Sequence, residues 1–176
     1  ALPRLLQGDN DRLQTICSQL DRFLEFTGRW DEAIWLTEQA ETRALAAGDQ
    51  DNGGWRAYQA GWVYSLRSQA TEVLSCATRA ITHWENSTPR QKALAIRLRG
   101  LGHKLNKDYP SAIAAYREML EIFRALYAES DDVAIALKDL ATVEEANKDY
   151  DVSERDYSES LRIFKKNNHQ EGVAVL

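Results

Sequence analysis

A tetrapeptide, Asn-Lys-Asp-Tyr, occurs twice in this chain, at 106–109 and again 41 residues later at 147–150. After each copy, large and small residues follow at steps of three or four, which is the spacing of one face of an α-helix. The same frame extends towards the N-terminus, where equivalent small residues recur at intervals of 40, 39 and 41 (Ala33, Val73, Ala112 and Ser153). Self-similarity at such a period predicts stacked structural units instead of one globular core.

The composition favours an all-α fold. The 176 residues include only 3 prolines and 9 glycines, and no segment shows the sustained alternation or β-branched runs that are typical of strands. Segment 48–53, rich in Gly, Asp and Asn, is predicted to be a loop. The predicted helices are 10–26, 30–47, 53–67, 69–86, 89–105, 109–127, 131–146 and 150–166, followed by a loop and the start of another helix in 167–176.

Capping residues mark several of the predicted helix starts. Thr88 can cap the helix that follows it, and Gln91 can reach back to complete a capping box. Asp108 and Asp149 precede the two motif tyrosines and are expected to cap the helices that begin there. Ser130 is expected to open a further helix in the same way.

Each predicted helix pair carries small residues where its two helices would cross closely. They occupy a slot in the first helix (Gly61, Gly100 and Ala141) and an early slot in the second (Ala33, Ala112 and Ser153), with Tyr116 and Tyr157 following. A larger side chain at a close crossing would hold the backbones apart, at a cost of about 1–3 kcal/mol.

This frame resembles the tetratricopeptide repeat. The resemblance implies a right-handed superhelical solenoid of antiparallel helix pairs, with about four repeats at 10–47, 53–86, 89–127 and 131–166 and the start of a fifth at 167–176. The period of about 40 exceeds the usual 34 residues, so we expect lengthened helices. HEAT-type repeats share that period and are the structural alternative.

We expect a single domain, 1–176, that is a fragment of a larger protein. Val173 and Leu176 would expose apolar surface unless a further helix covered them. The segments Leu2–Leu6 and Phe23–Ala33 resemble the start of the repeat arrays in bacterial signal-transduction ATPases with numerous domains. That resemblance implies a bacterial, cytoplasmic sensor or assembly region.

Charge and cysteine content limit the function classes. A net charge of −5 and a pI near 5.3 argue against a general nucleic-acid surface, because phosphate binding needs clustered Lys and Arg. No apolar run is long enough to span a bilayer, so no membrane contact is expected. Cys17 and Cys76 form no CxxC motif and are interpreted as reduced packing residues, in keeping with a cytoplasmic location.

No catalytic constellation emerges from the sequence. His83, His103 and His169 lie far apart and match no zinc-ligand spacing. Adjacent acidic residues diverge on a helix, and no Gly-rich loop carries the Lys and Ser/Thr of a phosphate-binding motif. The prediction is a protein that is not an enzyme and has no cofactor and no metal.

The resemblance places the first helix of each pair on the inner surface of the array, where a partner would bind. The residues expected there are Ser18 and Arg22; Trp55, Tyr58 and Trp62; Arg97, Leu101 and Lys104; and Lys138 and Thr142. Aromatic and basic side chains in one groove suit an acidic or amphipathic peptide. Packing between repeats and ordinary surface charge are the alternative reading of the same residues.

The favoured function is a protein-interaction scaffold within a larger regulator. Members of the family that clamp a terminal carboxylate use Lys and Asn pairs, and Trp62, Leu101 and Thr142 stand where the asparagines are expected, so that role is not predicted. A receptor for a signalling peptide or small molecule is one alternative, and self-association is another.

Overall fold

The computed structural model describes residues 9–174, and this range contains nine helices joined by short turns, without a strand. The helices are α1 (Asn10–Phe26), α2 (Trp30–Ala46), α3 (Gln50–Leu66), α4 (Ala70–His83), α5 (Pro89–Leu105), α6 (Tyr109–Leu126), α7 (Asp131–Ala146), α8 (Tyr150–Lys166) and α9 (Gln170–Ala174). The all-α prediction is therefore confirmed. Leu176 and the segment Leu2–Leu6 lie outside the described residues.

The chain divides into two compact units, Ala1–Ser87 and Thr88–Leu176. Unit 1 contains α1 to α4 and unit 2 contains α5 to α9. Within each unit, helices that follow one another in sequence pack against each other, which is the arrangement expected of stacked helix pairs. The single domain 1–176 stays a prediction.

The repeated Asn-Lys-Asp-Tyr motif forms the turn inside a helix pair. Asn106 is the C-cap residue directly after α5, and Lys107 follows in the left-handed region with φ of 60°. Asp108 then accepts a hydrogen bond from the backbone N–H of Ser111 (3.3 Å) at the start of α6. In the second copy, Lys148 repeats the left-handed conformation with φ of 71°. The tetrapeptide thus encodes a helix end, a reversal and a new helix start.

Most of the predicted caps form, and one prediction is wrong. Thr88 and Gln91 make the reciprocal hydrogen bonds of a capping box, and Ser130 caps α7. Asp149 makes no side-chain cap on α8. Its carboxylate instead accepts a hydrogen bond from Nδ2 of Asn147 (2.7 Å), so a neighbouring side chain competes for it.

Two helix boundaries in unit 1 differ from the sequence prediction. The predicted loop 48–53 is too long: Gly48 and Asp49 form the turn, but α3 already begins at Gln50, where Asp49 accepts a hydrogen bond from the Asn52 N–H (3.1 Å). Gly53 and Gly54 therefore lie inside the helix. At the other end, α4 stops at His83 instead of residue 86, and Trp84 leaves the helix with its side chain fully buried.

Each unit has its own apolar core. The core of unit 1 includes Leu13, Leu36 and Val63, and that of unit 2 includes Met119, Leu137 and Phe164. Val173 is half-buried and packs against the core of unit 2.

The residues predicted at helix crossings all lie in the interior of their units: Ala33, Gly61, Gly100, Ala112, Ala141 and Ser153. The hydroxyl of Ser153 donates to the carbonyl of Ala141 (2.9 Å), which joins the small slots of α7 and α8. At Gly100, a β-carbon would lie only 2.7 Å from Cε1 of Tyr116. A methyl group at Gly100 would therefore clash with the ring of Tyr116.

Candidate functional site

Three aromatic residues lie on one face of α3 in unit 1, and we call Trp55, Tyr58 and Trp62 the aromatic patch. All three are half-buried. The ring of Trp55 meets Tyr58 edge to face at a centroid distance of 6.1 Å, and it meets Trp84 in the same way at 5.1 Å. Because Trp84 is fully buried and contacts both Trp55 and Tyr58, it holds these two rings against the core while part of each faces solvent.

Arg56 lies next to the aromatic patch in sequence but is buried, with 2% of its surface exposed. Its guanidinium donates to Oε1 of Gln14 (2.7 Å), the carbonyl of Gln14 (2.9 Å), Oε1 of Gln59 (2.6 Å) and the hydroxyl of Ser18 (2.8 Å). These bonds tie α1 to α3 and satisfy a charge that burial would otherwise make costly. The predicted partner residue Ser18 is thereby engaged internally, whereas Arg22 lies exposed on α1.

Arg56 was missed by the sequence reasoning, although a signal was present. It lies at helical spacing from Gly53 and Ala60, both of which are buried. A basic residue on an otherwise small and apolar stripe indicates a buried cation with its own hydrogen-bond acceptors.

Three cations meet around one carboxylate in unit 2, and we call Arg97, Lys104 and Lys138 the basic patch. Nε of Arg97 donates to Oδ2 of Asp139 at 2.7 Å, and Nζ of Lys138 lies 3.9 Å from Oδ1. Partial burial lowers the pKa of Lys104 despite the opposing charge of Asp139. Three positive charges around one negative charge leave a local excess of positive charge.

Leu101 and Thr142 complete the residues predicted on this face. Leu101 is half-buried, one turn of α5 beyond Arg97. The hydroxyl of Thr142 donates to the carbonyl of Lys138 (2.8 Å) and accepts from the hydroxyl of Tyr157 (3.0 Å). Thr142 therefore has its hydrogen bonds within the protein.

Asp139 was also missed by the sequence reasoning. It pairs with Arg97 across 42 residues, and Asp132 pairs with Arg90 (2.9 Å) across the same 42 residues. In both pairs, an arginine is followed one repeat later by an aspartate. An alignment of the repeats would have shown this pattern, which indicates ion pairs between neighbouring repeats.

Reactive groups are scarce among the described residues. No set of three His, Cys, Asp or Glu side chains in 9–174 is grouped so that it could hold a metal ion. Both cysteines are free and buried, and burial raises the pKa of Cys76 to about 11, which disfavours the nucleophilic thiolate. None of the helices in this range is sufficiently long and apolar to traverse a bilayer.

Comparisons with known proteins place the fold. Residues 91–166 match the family model of the tetratricopeptide repeat. BtubC (BKLC) from P. vanneervenii is similar in structure, with a TM-score of 0.77 and 18% sequence identity over 92% of this chain and 66% of that one. The MamA RS-1 ArsTM double mutant is similar with a TM-score of 0.63 and 14% identity over 90% of this chain and 77% of that one. Comparison with curated proteins gives no match.

Identities of 18% and 14% establish the fold alone. This chain spans 66% of the length of BtubC. The tetratricopeptide frame predicted from Gly100, Ala112 and Tyr116 is confirmed over the HEAT-type alternative, because the matching family model is that of the tetratricopeptide repeat. The matched segment begins in α5 and ends with α8, so it contains all three residues. The chain has a tetratricopeptide-like fold of sequentially packed helix pairs, and its residues 91–166 match the tetratricopeptide repeat model.

Proposed function

We propose that this chain is a protein-interaction scaffold that binds an acidic or amphipathic partner protein or peptide through the first helices of its pairs. The tetratricopeptide repeats support an interaction role and a non-catalytic one. The observation that carries the proposal is the basic patch of unit 2. In a chain of net charge −5, three cations around the carboxylate of Asp139 are a local cluster of positive charge.

The basic patch suits the carboxylates of a partner. The bond from Arg97 to Asp139 fixes one cation, and an incoming carboxylate would take its place between Lys104 and Lys138. Partial burial of Lys104 leaves its charge less well hydrated, so a partner carboxylate there is attracted more strongly than at a fully exposed lysine.

The aromatic patch of unit 1 suits the apolar side chains of the same class of partner. Trp55 and Tyr58 are held by Trp84, so binding costs little side-chain entropy. Rigid, half-exposed tryptophans are typical of residues that dominate binding energy in protein interfaces.

A panel of labelled acidic amphipathic peptides, measured by fluorescence anisotropy, tests both patches. Lys138→Glu is expected to weaken binding of the best peptide about tenfold and to reduce its salt dependence. Lys92→Glu is the matched control, since Lys92 is exposed on α5 outside the basic patch and the charge change is equal. Equal losses in the two variants would refute the basic patch.

The aromatic patch is tested with the same peptides. Trp62→Ala is expected to weaken binding about tenfold, whereas Trp35→Ala on α2, where Trp35 is 39% exposed, leaves it unchanged. Circular dichroism of both variants checks that the fold is retained. Unchanged affinity in Trp62→Ala would remove the aromatic patch from the proposal.

The wider setting is part of the same proposal. We infer that the scaffold is the sensor or assembly region of a larger bacterial regulatory protein in the cytoplasm, as its resemblance to the repeat arrays of signal-transduction ATPases implies. The receptor and self-association alternatives stay predictions, and light scattering across a concentration series separates self-association from partner binding.

A further inference from the structure

A polar cavity of about 280 Å³ lies in unit 2, lined by residues of α6, α7 and α8. Three arginines, four carboxylates and three leucines line it. The cavity shares no residue with the basic patch, so it is independent of the proposed function.

The ion pairs of this cavity leave one carboxylate in excess. Arg117 donates to Oε1 of Glu144 (3.0 Å), and Arg124 donates to Oε1 of Glu159 (3.1 Å). Arg155 donates to Oδ1 of its neighbour Asp156 (3.0 Å). The fourth carboxylate of the lining is that of Glu121, which is exposed. The lining therefore carries a net charge of −1, from four acidic and three basic groups.

Glu144 is the unusual member of the lining. Only 1% of its surface is exposed, and its second oxygen, Oε2, accepts no hydrogen bond from any residue in the described range 9–174. Burial raises the pKa of Glu144, in spite of the hydrogen bond from Arg117. A buried carboxylate oxygen without a donor is energetically costly, and a ligand that supplies a donor would remove that cost.

Glu41 of unit 1 is also a buried carboxylate, but both of its oxygens are hydrogen-bonded. Glu41 lies between α2 and α4, the second helices of their pairs, and is 5% exposed. Its Oε1 is bonded by Nε of Arg79 (2.9 Å) and Nε2 of His83 (3.0 Å), and its Oε2 by Nη2 of Arg79 (3.3 Å). Glu41 is thus satisfied by neighbouring side chains, whereas Glu144, which lines the cavity, keeps an acceptor oxygen without a donor.

We propose that this cavity binds a primary alkylammonium group, with Oε2 of Glu144 as the acceptor and Leu120, Leu137 and Leu140 against the alkyl stem. One positive charge neutralises the net charge of the lining. An ammonium group needs only one acceptor oxygen, whereas the bidentate pairing that favours a guanidinium needs both oxygens of a carboxylate, and Oε1 of Glu144 already accepts from Arg117.

Titration of the ¹⁵N-labelled protein with n-butylammonium chloride, against sodium chloride at equal ionic strength, tests this proposal by NMR. Saturable shifts are expected at amides around Glu144 and Leu140, with a dissociation constant on the order of millimolar for so small a ligand. Glu144→Gln should abolish saturation, whereas Glu154→Gln, at an exposed position of α8 outside the cavity, should not. Non-saturable shifts, or equal binding by Glu144→Gln, would overturn the proposal.

Further probes give the test its specificity. The exposed variant Glu121→Gln removes the excess charge and should weaken binding about threefold, which keeps the proposal testable if Glu144→Gln does not fold. Equal binding of n-butylguanidinium would overturn the assignment to ammonium. Two further probes, Nα-acetyl-lysine methylamide and 1,4-diaminobutane, distinguish the source of the ammonium group. If the lysine derivative binds more tightly than the diamine, the natural ligand is a lysine of a partner chain; if the diamine binds more tightly, it is a free amine. Binding of neither probe would overturn the proposal.

Discussion

Two adjacent glycines in α3 should respond in opposite ways to the same substitution. A β-carbon at Gly54 would lie 2.2, 2.4 and 2.5 Å from three atoms of the Trp84 indole. A β-carbon at Gly53 would meet only one atom closer than 3.0 Å, Cδ2 of Leu45 at 2.9 Å. The indole is rigid and fully buried, whereas Leu45 is 36% exposed and can turn away.

The magnitudes follow from overpacking and helix propensity. Alanine inside a helix is favoured over glycine by about 1 kcal/mol, and both substitutions gain that amount. Overpacking costs about 1–3 kcal/mol, and Gly54→Ala should meet the upper part of that range. We therefore expect Gly54→Ala to destabilise unit 1 by about 1–2 kcal/mol, and Gly53→Ala to stabilise it by about 0.5 kcal/mol.

Urea unfolding followed by tryptophan fluorescence measures the effect in the correct unit, because all 5 tryptophans lie before residue 88. Trp84→Leu should lessen the cost of alanine at 54 in a double-mutant cycle, since the clash is with the indole. If Gly54→Ala is as stable as Gly53→Ala, or if the cycle shows no coupling, the packing argument is refuted.

Two further predictions concern the turns. Lys107→Gly should raise the free energy of unfolding by about 0.5 kcal/mol because it relieves a left-handed residue, whereas Lys92→Gly inside α5 should lower it by about 1 kcal/mol, both measured by chemical denaturation. Asp49→Ala should cost about 1 kcal/mol at pH 7 through loss of a cap. Partial burial raises the pKa of Asp49, but hydrogen bonds from Asn52 and Asn10 outweigh it and leave the pKa lowered in the folded state. The ionised group therefore stabilises above its unfolded pKa of about 4, and this contribution is lost as the pH falls through the folded value. The cost of Asp49→Ala should then be smaller at pH 2, and an equal cost at both pH values would contradict the assignment.

The helix periodicity was sufficient to predict most of the fold, because long amphipathic segments with caps are a local property. It failed at the start of α3, where residues 50–52 were predicted in a loop because the two glycines that follow them, Gly53 and Gly54, have weak helix propensity. Tertiary packing against Leu45 and Trp84 overrides their weak helix propensity, and the sequence gives no direct sign of those contacts.

The candidate site was predictable only in part. Trp55, Tyr58 and Trp62 could be assigned to one face because their spacing is helical. The burial of Trp84 beneath them depends on where α4 ends, which spacing does not determine. Similarly, helical spacing was sufficient to predict Lys138 on the inward face of α7. The pairing of Arg97 with Asp139, the residue directly after Lys138, depends on how α5 and α7 are aligned, which spacing does not determine.

The buried guanidinium of Arg56 has a consequence for how this protein can be recombined. Repeat proteins are commonly edited by removing or exchanging whole modules. Replacing α1 by another helix that covers the same surface but lacks the side chains of Gln14 and Ser18 would remove two of the four bonds to Arg56 and leave a buried cation poorly paired, at a cost of about 3–5 kcal/mol. The first module is therefore not interchangeable with the others, and a chimeric form that covers position 56 with a different helix needs an uncharged residue there.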